Sequence, residues 1–145
     1  MEARLTVMEK SAWICGMVLE TEPTLTNKQW MFKKKRQRAF KLNGNCLYQT
    51  MNMQITFDAL HRDQTTLNQA RIDLLDDEFS LFTNALLNHP IPFPTNYKQQ
   101  WVNRGNESYI QLAARERPED FAIRLASAIG VLRSEANNSC FFSSN

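Results

Sequence analysis

The chain has 145 residues, is 43% hydrophobic and 22% charged, and carries 17 Lys and Arg against 15 Asp and Glu. Those proportions exclude wholesale disorder and describe one domain long enough to close a core without staples. No apolar run approaches the ~20 residues of a membrane helix, and the start, with Glu2 and Glu9 and no basic segment, predicts no signal peptide.

Two readings compete over residues 3–20. Leu5, Met8, Ala12, Cys15 and Leu19 step by three and four, as in a helix. Trp13, Cys15, Met17 and Leu19 also alternate, and a strand over Ala12–Glu20, paired with Arg4–Met8, is the preferred expectation. After the break at Glu22-Pro23, a helix over 24–35 capped by Thr26 is expected, weakened by its consecutive cations.

Asn43-Gly44 is the clearest local signal. It predicts a type I′ hairpin, because both central residues of that turn need positive φ. Ala39–Leu42 precedes it, and Leu47, Met51, Met53, Ile55 and Phe57 follow on odd positions, as in a half-buried strand.

Thr66 to Gln69 resembles a capping box and predicts a helix over about 67–88, with Ile72, Leu75, Phe79, Phe82 and Leu86 in one stripe. Residues 90–96 alternate prolines and must be extended. A second hairpin is expected around Asn103-Arg104-Gly105-Asn106. A last helix should start at Pro118 and run to about 136, burying Phe121, Leu125, Ile129 and Leu132. The expected fold is α+β: a small antiparallel sheet with hairpins, packed on one face by two amphipathic helices, 67–88 and 118–136. Residues 1–136 form the single domain, and 137–145 a flexible tail whose Phe141-Phe142 could dock.

Charge is unevenly spread. Lys28, Lys33, Lys34, Lys35, Arg36, Arg38 and Lys41 lie within a stretch that holds no Asp or Glu between Glu22 and Asp58. The ten other positive residues stand against all fifteen acids, so an acidic body carries one basic stripe. Trp30, Phe32 and Phe40 are interleaved with it. Cations neutralise phosphates and aromatic faces stack on bases, so the stripe points to nucleic acid, with Lys28, Trp30, Phe32, Lys33, Lys34, Lys35, Arg36, Arg38 and Lys41 as the binding residues. The alternatives are an acidic macromolecular partner, docked by a small adaptor, inhibitor or immunity-type protein, and a plain solvated face.

Other chemistries find little support. Cys15, Cys46 and Cys140 are odd in number and far apart, which predicts two buried thiols and a tail thiol rather than a disulfide framework or zinc site. Asp58, His61 and Asp63 could hold a cation, but a polar loop is the simpler reading. Asp73, Asp76, Asp77 and Glu78 read as the solvated side of the middle helix; they could also meet the basic stripe of a second copy in a homodimer. The four glycines are isolated, so no phosphate loop can be built, and no nucleophile elbow occurs. The expectation is a protein that binds rather than catalyses, needs no cofactor, and resides in the cytoplasm, or in the nucleus of a eukaryote.

Overall fold

A computed structural model of the chain describes residues 6–58, 63–105 and 107–141, and the side chains of all these except 40 and 133–141. The first element is a helix, α1 (Val7–Leu19), and not the expected strand. Local capping decides against the alternation. The Thr6 hydroxyl accepts the Glu9 N–H at 3.1 Å and donates to the Glu9 carboxylate at 3.2 Å. At the other end Glu20 takes a left-handed conformation, φ 59°, and its N–H reaches the carbonyls of Gly16 and Met17.

Residues 24–35 are also not helical. They belong to strands β1 (Thr24–Thr26) and β2 (Gln29–Leu42), joined by Asn27 and Lys28, both at positive φ. That is the backbone sign a two-residue hairpin turn demands, and it competes successfully with a helix of repelling cations. The Asn43-Gly44 turn forms as expected, with φ of 54° and 81°, and leads into β3 (Asn45–Phe57).

The expected helix over 67–88 divides in two. Thr66–Asp73 is strand β4, and only Asp76–Leu87 is helix α2. In β4 the residues Thr66, Asn68, Ala70 and Ile72 are buried while Gln69 and Arg71 are exposed, a period of two that outweighs the spacing of Ile72 to the later helical stripe. The second hairpin forms as β5 (Lys98–Arg104) and β6 (Glu107–Glu116), with Gly105 at φ 61°. Helix α3 begins at Pro118 as expected and continues past 136 to Phe141; of the tail, residues 142–145 and the side chains from 133 lie outside the described residues.

The architecture is α+β. Among the described residues, six strands form one antiparallel sheet in the order β1-β2-β3-β4-β6-β5. Three helices, one more than expected, pack against it. Phe32, Ile55, Phe57, Ile72 and Leu112 of the sheet bury against Ala12, Cys15 and Leu19 of α1, Phe82 and Leu86 of α2, and Phe121, Leu125 and Leu132 of α3. Each large side chain so buried contributes about 1.5–3 kcal/mol. The proline-rich connection is held by Arg124 of α3, which is fully buried. Its guanidinium makes a two-pronged contact with Glu116 at 2.7 and 2.9 Å, donates to the carbonyls of Ile91 and Pro92, and lies 4.1 Å above the Phe93 ring.

Cys15 is buried and free; Cys46 is exposed near the end of the β2–β3 hairpin and engaged in a disulfide. The expected picture of thiols only is corrected at Cys46. No helix among the described residues is long and apolar enough to cross a membrane.

Candidate binding face on the open side of the sheet

Strand geometry divides the basic stripe. Successive side chains of β2 point to opposite faces. Phe32 is in the core, so Lys34, Arg36 and Arg38 follow it to the helix side, while Lys33 and Lys35 emerge on the other.

The inward cations are neutralised within the molecule. Lys34 Nζ donates to the Leu19 carbonyl at 3.0 Å and to Glu20 at 3.3 Å, and so closes the C-terminal end of α1, where the helix dipole favours a cation. Arg36 grips Glu78 with two hydrogen bonds of 2.8 Å and donates to the Asp73 carbonyl at 3.0 Å. Arg38 pairs with Asp77 at 2.9 Å, and its Nε lies 3.5 Å from Glu78. Glu78 is 3% exposed, and it also accepts the Leu75 N–H at 2.9 Å at the start of α2. Of the acidic run expected on a solvated face, Asp76 and Asp77 are exposed as expected, and Glu78 is buried. Asp77 and Glu78 are not left to solvent alone. They instead meet the basic stripe of their own chain.

The aromatics of the stripe are largely committed too. Phe32 is buried, 5.1 Å from the Phe57 ring, and half-buried Trp30 packs on the same core. Phe32 has no surface left for a base, and Trp30 only part of its own. The Phe40 side chain lies outside the described residues. Lys28 and Lys41 are exposed, Lys28 in the β1–β2 turn and Lys41 near the hairpin end.

The outer face of the sheet carries no helix, and pairing assembles it row by row. Lys33 stands opposite Gln54, Gln54 opposite Arg71, Arg71 opposite Gln111, and Gln111 opposite Gln100. The adjacent row runs Met31, Thr56, Gln69, Ala113, Lys98. All of these but Lys33 line an open groove of about 860 Å³, whose charged lining side chains are Arg71 and Lys98. It continues into a second groove, of about 640 Å³, past Lys33, Lys35 and Asn52. Crossing from β2 to β5 is four strand spacings, or about 19 Å. The Arg71 guanidinium carbon lies over the Tyr109 ring, 3.7 Å from its centre, and the side chain meets Glu107 at 2.6 Å.

The face is electrically graded. Lys33, Lys35 and Lys98 mark its basic part, while Asp73, Asp76, Asp77 and Glu107 line a third groove at the end nearest α2. Arg71, Lys98 and the glutamines escape a reading by charge runs, because they come singly from four strands. Their signal is the period of two, polar residues alternating with core residues in β4 and β6.

Burial pushes the Cys15 thiol well above its usual range, the reverse of what attack requires. Among the described residues no three His, Cys, Asp or Glu side chains converge as metal ligands. Of the expected cation site, His61 lies outside the described residues; Asp58 accepts from Gln29 at 2.8 Å and Asp63 from Thr65 at 2.6 Å. No protein-family model, curated protein or solved structure matches this chain.

Proposed function

We propose that the protein is a non-enzymatic binding module that lays a single strand of nucleic acid across the open face of its sheet. One observation carries this reading: Lys33, Lys35, Arg71 and Lys98 share an uncovered face with Gln54, Gln69, Gln100 and Gln111. The cations suit phosphates spaced along a backbone. The glutamine amides each offer a donor and an acceptor, as base edges do. A span of about 19 Å suits a short site, near the lower end of the ~4–16 nucleotides seen for single-strand modules. Exposed Tyr48, further along the β2–β3 hairpin, offers a ring to a base beyond the groove.

A second reading has its own support. The groove lining contains no aromatic ring, so an acidic extended polypeptide is served as well by the same lysines and amides. Both readings exclude Lys34, Arg36 and Arg38 from contact, because they turn to the helix side and are bound to Glu20, Glu78 and Asp77; Arg71 is also paired, with Glu107, but both of those side chains are open to solvent and can exchange partners.

The test is fluorescence anisotropy of a labelled single-stranded 12-mer and a labelled poly-glutamate peptide over a salt series. With three or four phosphate contacts, log K should fall with log salt at a slope of about −2 to −3. Lys33→Glu/Lys35→Glu should weaken binding at least about tenfold and flatten the slope by about 1.4. Preferential binding of the peptide selects the second reading. Binding of neither probe at low salt, or equal binding by the double variant, refutes both.

A further inference from the structure

Helix α1 is apolar on both sides. Its inward side holds Ala12, Cys15 and Leu19 in the core. Its outward side carries Val7, Trp13, Ile14 and Met17, with Trp13 60% and Met17 61% exposed. At 100° per residue these four lie on one arc, with Lys10 among them. A helix apolar all round is a buried helix, and among the described residues nothing covers this side of α1. The four exposed fractions leave on the order of 400 Å² of apolar side chain in water, the size at which a patch marks an interaction site.

We infer that a second copy of this chain covers the face, α1 packing antiparallel on α1 about a two-fold axis. In such an isologous contact each patch must complement itself. This one does. With the axis level with residue 15, Trp13 meets the other copy's residue 17, a methionine, and sulfur on an aromatic edge is a favourable contact. Ile14 lies beside its counterpart at the axis. Lys10 comes level with the other copy's residue 20, a glutamate whose side chain is 63% exposed while it meets Lys34 at 3.3 Å. The two symmetric Lys–Glu pairs bracket the apolar centre. Two patches supply about 800 Å² of apolar burial, and their polar rims bring the total to the lower end of the ~1,200–2,000 Å² of specific interfaces. The outer face of the sheet takes no part, so this inference stands apart from the proposed function.

Sedimentation equilibrium on the full chain tests it, with thermal melts to confirm that each variant folds. The parent should be dimeric by about 200 μM, and Trp13→Glu or Met17→Glu should weaken dimerisation at least about 30-fold, with melting temperatures equal to the parent's when both are measured at a dilution where the parent is monomeric. Lys10→Glu and Glu20→Lys should each be monomeric alone, because each doubles a like-charge contact. Mixed in equal amounts they should form a heterodimer, in which both pairs are restored. A monomeric parent overturns the inference. So does a dimer that survives Trp13→Glu, and so does failure of the two charge variants to associate.

Discussion

Glu78 should be the least replaceable surface-derived charge in the molecule. Replacing it with alanine leaves the guanidinium of Arg36, whose side chain is 15% exposed, and that of Arg38, 10% exposed, without their shared carboxylate. Breaking a buried pair in this way costs about 3–5 kcal/mol. Arg36 keeps the Asp73 carbonyl and Arg38 keeps Asp77, which places this loss at the lower end, about 3 kcal/mol. The Leu75 N–H also loses its acceptor at the start of α2, about 1 kcal/mol more. The sum of about 4 kcal/mol is a large part of the ~5–15 kcal/mol by which domains are stable. At about 2–4 °C per kcal/mol the melting temperature should fall by about 8–16 °C. Urea unfolding followed by tryptophan fluorescence is a suitable assay, since the Trp101 ring lies 4.6 Å from Phe79 of α2 and reports on that helix. Glu78→Gln keeps the Leu75 contact and should lose about half as much, while Lys35→Ala should change stability by no more than about 0.5 kcal/mol. A Glu78→Ala loss below about 1 kcal/mol would refute the claim that half of the basic stripe is structural.

Arg124→Ala should destabilise by about 3–5 kcal/mol, and Arg124→Lys should rescue little, because an ammonium cannot hold both Glu116 oxygens and two carbonyls in one plane; chemical denaturation measures both. Gly16→Ala should cost about 1–3 kcal/mol in the same assay, since a Cβ there meets the Thr21 carbonyl oxygen at 2.8 Å. Gly130→Ala should have the opposite sign, a gain of about 0.5–1 kcal/mol, because nothing lies within 4 Å of a Cβ in that turn of α3. Cys15 should resist a maleimide at pH 8 in the folded protein and react on unfolding, as peptide mass spectrometry would reveal, because burial holds its thiol well above the usual range.

What the sequence discloses depends on how local its physics is. The β2–β3 and β5–β6 hairpins are legible because Asn43-Gly44 and Gly105 satisfy a backbone demand within two residues, whereas the β1–β2 turn at Asn27-Lys28 has no glycine to announce it. Helix α3 is legible because Pro118, two acids in the first turn and an apolar stripe agree. The middle of the chain is not, since Ile72 sits three residues before Leu75 and joins a helical stripe by accident of spacing; the tertiary pairing of β4 with β3 and β6 decides it. The stripe at 28–41 is visible as charge, but its division is not, because that requires knowing that Phe32 is buried and that Glu78 lies across from Arg36. The outer face is hidden for the opposite reason: Gln54, Arg71, Gln100 and Gln111 are ordinary surface residues until pairing sets them side by side.

Strands usually declare their alignment by alternating apolar and polar residues. From Lys33 to Arg38 both parities are hydrophilic, so sliding this segment by one position exchanges Lys33 and Lys35 for Lys34 and Arg36 with hardly any change in hydropathy. The pattern that should forbid a slip is degenerate here, and the choice falls on the flanks: Phe32, fixed opposite Ile55, and the Asn43-Gly44 turn. One residue inserted into that turn would oppose them, favouring a frame in which the arginines face water and Lys35 and Gln37 take their places toward Glu78. The composition would be almost the same, but the partitioned strand, half anchor and half contact surface, would be lost. A two-residue turn thus acts as the arbiter between two molecules that the charges alone cannot tell apart.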